Sequence, residues 1–304
     1  MNTDAAMAGP FKPSYKPTTK TTPVRVSIRP KTTVMHVFEK LSVLTDEEMW
    51  HHGGTIMDKT RSEITDTLTP HEIQDFLYHL QAYEGEPSYS EAAGQVVGQL
   101  VENSLRGGHH EFHFDMRGLK PLKNCCTKIN QDSQDLTIIV RGNAGYGFGC
   151  GAKGTFYMED AGQGAFSHAS GIFAIKKANE VLGMDARGKF YLEEGHDSIG
   201  VCVGLVNGIQ EFYVKSVGAR CGLGPNRYGM GSNTCKVYVL NHIGAIPPVT
   251  QGEPATYYSH RHDILEPLEI PAKHKIILPP DEWNAKWQEA EDVFAELNRR
   301  LGLK

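Results

Sequence analysis

The sequence predicts a mainly β fold: a parallel β-helix of about six coils over residues 109–246, with a helical region before it and a helix after it. Three observations lead there. Short runs of strand-forming residues recur through the middle of the chain. Glycine is concentrated in the same stretch, 21 of the 32 lying between Leu136 and Gly244. Those glycines, with one asparagine, keep nearly constant offsets from the runs.

Residues 1–23 carry Pro10, Pro13, Pro17, Pro23 and a threonine-rich run with few apolar anchors, the composition of an extended or disordered arm. Residues 24–108 read as mainly helical, after a possible short strand at 24–28. Apolar residues recur at helical spacing over 33–44. Thr69, Pro70 and Glu72 form a capping-box signature ahead of Ile73, Phe76, Leu77 and Leu80 on one face. A further helix over 90–105 turns Ala92, Val96, Val97, Leu100 and Val101 inward and stops at Gly107-Gly108.

After Gly108 the period changes. Strand-like runs stand at 111–114, 136–140, 155–158, 172–175, 189–192, 211–214 and 236–240, and from Leu136 onward they begin 19, 17, 17, 22 and 25 residues apart. Four residues past the last apolar position come Gly162, Asn179, Gly218 and Gly244, with Gly145 one later and Gly195 one earlier. Gly183, Gly200 and Gly222 follow at eight and Gly149 at nine; Gly154, Gly171 and Gly188 follow at thirteen or fourteen. Gly and Asn tolerate positive φ, so Gly145, Gly162 and Gly218 are expected at positive-φ corners. A chain that bends at fixed places in every repeat and stacks a short strand on the previous one is a parallel β-helix. Residues 247–280 read as a proline-rich extended segment. Residues 281–304 form a docking helix striped by Trp283, Trp287, Val293, Phe294, Leu297 and Leu301, expected to cap the last coil or to anchor a neighbouring subunit.

Composition narrows the function. With 31 basic and 36 acidic residues the chain lacks the concentrated positive charge that nucleic acid requires. No run approaches the roughly 18 apolar residues of a membrane span, and the N-terminal residues lack the order of a secretory signal, so a cytoplasmic location is expected. The six cysteines show no zinc-type spacing and read as reduced thiols; vicinal Cys125 and Cys126, flanked by Lys123 and Lys128, form either a redox switch or a buried turn.

Residues 149–154 spell G-x-G-x-x-G, but a strand rather than a helix follows, which removes the helix N-terminus a dinucleotide needs. His109, His110, His113, His260, His262 and Asp263 contain metal-ligating types, and His260 and His262 would share a face of a strand. Glu193 and Glu194, ahead of His196 and Asp197, are adjacent carboxylates that point apart. No catalytic, cofactor-binding or metal-binding residue is assigned.

The segment 142–154, Gly-Asn-Ala-Gly-Tyr-Gly-Phe-Gly-Cys-Gly-Ala-Lys-Gly, resembles the coil motif of the glycine-repeat (GXGXXG) domain that closes the large subunit of glutamate synthase. Similar domains form free-standing subunits in N-methylglutamate synthase and in formylmethanofuran dehydrogenase. The resemblance covers roughly residues 109–246 and implies a right-handed β-helix with an architectural role and no catalytic residue. It further implies a hetero-oligomer with a glutamine-amidotransferase-like subunit and a flavin/iron–sulfur synthase-like subunit, the cofactors residing in those partners. A formylmethanofuran-dehydrogenase-like subunit is the alternative within the family. A free-standing enzyme with a histidine-bound metal on a β-helix cleft is the alternative outside it.

Overall fold

In a computed structural model that describes residues 32–44, 63–130, 135–178, 182–183, 186–195, 211–220, 236–245, 256–268 and 271–303, the strand runs become rungs of one ladder. They are β1 (Glu111–Asp115), β2 (Thr137–Asn143), β3 (Lys153–Ala161), β4 (Ser170–Ala178), β5 (Arg187–Gly195), β6 (Glu211–Arg220), β7 (Lys236–Ala245), β8 (Thr256–Ser259) and β9 (Lys275–Ile277). Each pairs in parallel with the one before it, in chain order. The fold is therefore a parallel β-solenoid. The rungs continue past residue 246, because β8 and β9 arise within the stretch read as extended. Neither carries a glycine marker, and proline punctuation hides runs this short.

Alternation sorts each strand between two faces. Phe112, Ile138, Phe156, Phe173, Phe190, Phe212, Val237 and Tyr257 lie in register on the inner face. The rings of Phe156, Phe173, Phe190 and Phe212 stack at 5.4, 4.3 and 5.9 Å between centroids. Ile139, Tyr157, Ala174, Tyr191, Tyr213, Tyr238 and Tyr258 form a second row on the outer face.

Glycines make the close stacking possible. Gly154, Gly171 and Gly188 lie in register at φ +155°, +142° and +116°, and a Cβ on Gly171 would stand 1.8 Å from the Gly154 carbonyl oxygen. Gly145 is at φ +86°, as expected. Gly162 is not a positive-φ corner: glycine is required there because a Cβ would meet the Gly145 carbonyl oxygen at 1.9 Å. The conformation of Gly218, and the positions of Asn179, Gly200 and Gly222, lie outside the described residues, as do the arm 1–23 and the run 24–28.

Helices cover the first coil and pack into the interior near the last rungs. α1 (Thr32–Ser42), α2 (Pro70–Leu80) and α3 (Tyr89–Arg106) precede the sheet. In α2 the Thr69 hydroxyl accepts the Glu72 N–H at 3.3 Å and the Thr69 N–H donates to the Glu72 carboxylate at 2.8 Å, the capping box read from the sequence. α3 is buried on nearly all sides. Its Gly94 and Gly98 lie against the backbone of Lys123 and Cys126, so it seals the first coil. At the far end the short α4 (His262–Leu265) packs on β7 and β8 and sends Ile264 and Leu265 into the same core as Tyr257, joined by Leu268.

The last helix, α5 (Pro280–Leu301), has Pro at its first turn and ends at Gly302 in the left-handed conformation, φ +66°. Its stripe lies along the side of the solenoid rather than over an end. Trp283, Trp287, Ala290, Phe294, Leu297 and Leu301 are buried on the chain's own outer face, against Ile139, Ala174, Tyr191, Tyr213 and Tyr238. Of the two surfaces the tryptophans could dock on, the chain's own and a partner's, the described structure shows the chain's own, along the side of the solenoid.

Candidate functional site

The G-x-G-x-x-G segment shows what its glycines do. Gly149 N–H donates to the Cys125 carbonyl at 2.9 Å and Gly151 N–H to the Ser167 carbonyl at 2.7 Å, one coil to each side. Gly149 and Gly151 sit at φ +64° and +69°, and Gly154 opens β3. Amides that would hold a pyrophosphate are engaged between coils, and the element that follows them is β3, not a helix.

The other candidate residues are brought into separate local contacts. His113 Nε2 is 2.7 Å from Glu111 Oε1. The His260 ring lies 4.9 Å from that of Trp283, whereas His262 begins α4 and faces Glu266 at 3.8 Å. Asp263 is held by Arg261 at 3.1 Å. His109 and His110 contribute backbone bonds, His109 N–H to the Ser104 carbonyl and the His110 carbonyl to Thr137 N–H. Among the described residues no three His, Cys, Asp or Glu side chains gather as a metal group. Glu193 pairs with Lys215 at 3.1 Å and Glu194 with Lys177 at 3.7 Å, so the adjacent carboxylates do point apart. His196, Asp197, Cys202, Cys221 and Cys235 lie outside the described residues.

Cys125 and Cys126 are buried beneath α3 with their sulfurs 3.7 Å apart. Burial first, and the neighbouring Cys125 second, push the Cys126 thiol well above its ordinary range. Half-buried Cys150 is also raised by burial, with Lys128 opposing the effect. A thiol held protonated is a poor nucleophile, and the geometry favours the buried turn.

The most organised polar chemistry lies at the seam between α5 and the outer face. Tyr191, Tyr213, Tyr238 and Tyr258 stack at 4.9, 4.7 and 5.0 Å. The Tyr213 ring is 6.3 Å from Trp287, which stacks on Trp283 at 5.1 Å. Three members reach carboxylates: Tyr191 OH donates to Glu289 at 3.0 Å, Tyr213 OH to Glu211 at 3.2 Å, and Trp287 Nε1–H to Glu291 at 2.7 Å. Lys189 pairs with Glu289 and, at 3.3 Å, with Glu211, which Lys286 also reaches at 3.3 Å. Burial, reinforced by these carboxylates, pushes the Tyr191 and Tyr213 hydroxyls far above the usual phenol range. Burial would raise Glu211 as well, but Lys286 and Lys189 outweigh it and hold that carboxyl below its ordinary value. Sequence reasoning misses this row, although Tyr191, Tyr213 and Tyr238 each stand third in a run of the form 189–192, 211–214 or 236–239. That repeated place is the available signal.

No helix among the described residues is long and apolar enough to cross a membrane. Comparisons with protein-family models, with curated proteins and with solved structures find no match.

Proposed function

We propose that this chain is a scaffold subunit, without a catalytic site of its own, in a multi-subunit amidotransferase/oxidoreductase assembly of the glutamate-synthase kind. One observation carries the reading: glycines of the 142–154 motif serve coil-to-coil stacking, Gly145, Gly149, Gly151 and Gly154 all adopting positive φ where neighbouring coils meet. A repeat built for stacking suits bracing. On this reading the solenoid winds right-handedly in about six coils between residues 109 and 246. Its partners are a glutamine-amidotransferase-like subunit and a flavin/iron–sulfur synthase-like subunit, and the complex is cytoplasmic.

Affinity purification of the tagged full chain from its own host tests this, with partners identified by mass spectrometry and cofactors by absorbance and metal analysis. Co-purification of a flavin-bearing chain and an amidotransferase-like chain is the expected result. A molybdenum or tungsten partner would redirect the assignment to the formylmethanofuran-dehydrogenase-like alternative. A chain recovered alone, with stoichiometric metal bound through its histidines, would overturn the scaffold reading.

A further inference from the structure

We propose that the outer aromatic row and the tryptophans of α5 form a relay that accepts one oxidising equivalent and passes it from indole to phenol along the solenoid. This stands independently of the scaffold reading. Indole and phenol are the readily oxidised uncharged side chains, and here six of them form a connected path. Trp283 stacks on Trp287, Trp287 meets Tyr213, and Tyr213 lies between Tyr191 and Tyr238, which meets Tyr258. Tyr191, Tyr213 and Tyr238 are 1%, 0% and 3% exposed, so bulk water is held away from the path.

Stacking alone does not require tyrosine. The inner face of the same sheet stacks phenylalanine at comparable distances. The outer row differs in its hydroxyls, and two of them, with the Trp287 N–H, donate to carboxylates. A phenol cannot lose an electron to a neutral radical unless its proton leaves too, and a hydrogen-bonded carboxylate provides the place for it. The relay step balances as follows. A diffusing inorganic radical, the azide radical in the test below, takes an electron from the Trp283 or Trp287 indole and leaves as its anion, and the indole becomes a radical cation. Indole is restored by an electron from Tyr213, whose proton moves to Glu211, giving a neutral tyrosyl radical and a protonated carboxyl. Transfer onward sends the Tyr191 electron to the Tyr213 radical and the Tyr191 proton to Glu289, while Glu211 returns its proton to Tyr213, so that one neutral radical and one protonated carboxyl remain.

The test uses the full chain carrying Trp50→Phe, which leaves Trp283 and Trp287 as the only indoles. Azide radicals from pulse radiolysis oxidise indole in preference to phenol, and transient absorption follows both radicals. The expected result is decay of the tryptophan radical matched by growth of a tyrosyl radical, at a rate independent of protein concentration. In Tyr213→Phe that rate falls by an order of magnitude or more, while Tyr146→Phe, at an exposed position off the row, leaves it unchanged. Because phenylalanine already stacks within this sheet, Tyr213→Phe keeps the packing, checked by an unchanged melting temperature. A tryptophan radical that decays only by encounter between molecules overturns the relay, as does a transfer rate unaltered in Tyr213→Phe.

Discussion

Single residues show two different reasons for glycine, and substitutions separate them. Gly118 is at φ +79° with open space around its missing Cβ, so Gly118→Ala meets backbone strain alone, about 1–2 kcal/mol. Gly162 has ordinary φ but no room, since its Cβ would fall 1.9 Å from the Gly145 carbonyl oxygen. Gly162→Ala must push two coils apart and is expected to cost about 3 kcal/mol or more. Urea unfolding of the two variants checks the order; equal midpoints would mean that the coils yield easily. Sequence offsets marked Gly162 but not Gly118, and they did not distinguish strain from contact, because both demand the same residue. They also missed corners without glycine. Asn124, Cys126, Lys128 and Asn130 hold positive φ in the first coil, where Asn124 Nδ2 donates to Glu91 at 3.0 Å and Asn130 N–H to Glu102 at 2.8 Å. Tertiary bonds from α3 hold conformations that local preference disfavours, and no single-residue pattern announces them.

At the level of strands and helices, register is set by rows. Parallel stacking places Asp115 beside Arg141, Lys177 between Asp160 and Glu194, and Glu211 between Lys189 and Lys236, so opposite charges face each other along the rungs. A slip of one residue would also turn the phenylalanine row outward. Phe173→Ala, between two stacked rings, is expected to cost about 3–5 kcal/mol, whereas Ile172→Ala, half-exposed one position earlier, stays within about 0.5 kcal/mol of neutral. Calorimetric melting of both checks this. The rows were legible because runs and offsets repeat; β8 and β9 were not, being four and three residues long. The seam of α5 adds a pH dependence. The Glu211 carboxyl is held low in the folded chain, so its stabilising share is complete above the ordinary carboxylate range. It is lost as pH falls through the depressed folded value. Fluorescence of Trp283 and Trp287 should therefore report loosening of α5 in acid, and Glu211→Gln should flatten that transition. A transition of unchanged steepness in Glu211→Gln would place its origin elsewhere.

At the scale of the whole molecule, closing the solenoid and covering it are separate tasks performed by separate helices. α3 seals the first coil and α4 packs on β7 and β8, and both belong to the interior core. At the outer edge of β1 the Gln74 amide acts as a further strand would, accepting the Asp115 N–H at 2.7 Å and donating to the Asp115 carbonyl at 3.3 Å, which blunts an edge open to pairing. α5 belongs to the second, outer cluster, apart from the core that holds α3 and α4. Trp287→Ala in the full chain, which hollows out a contact with Tyr213 and Phe294, is expected to cost about 3–5 kcal/mol. Removing residues 280–304 altogether tests the separation of tasks. The inner phenylalanine row, α3 and α4 remain, so strand content by circular dichroism should persist. Tyr191, Tyr213 and Tyr238 would then face water as one continuous aromatic strip, the kind of surface that drives self-association. Gain of oligomers in light scattering, together with binding of a hydrophobic dye, is the expected outcome. Loss of strand content on truncation would show instead that α5 holds the rungs together, and the solenoid would then depend on its cover as much as on its ends.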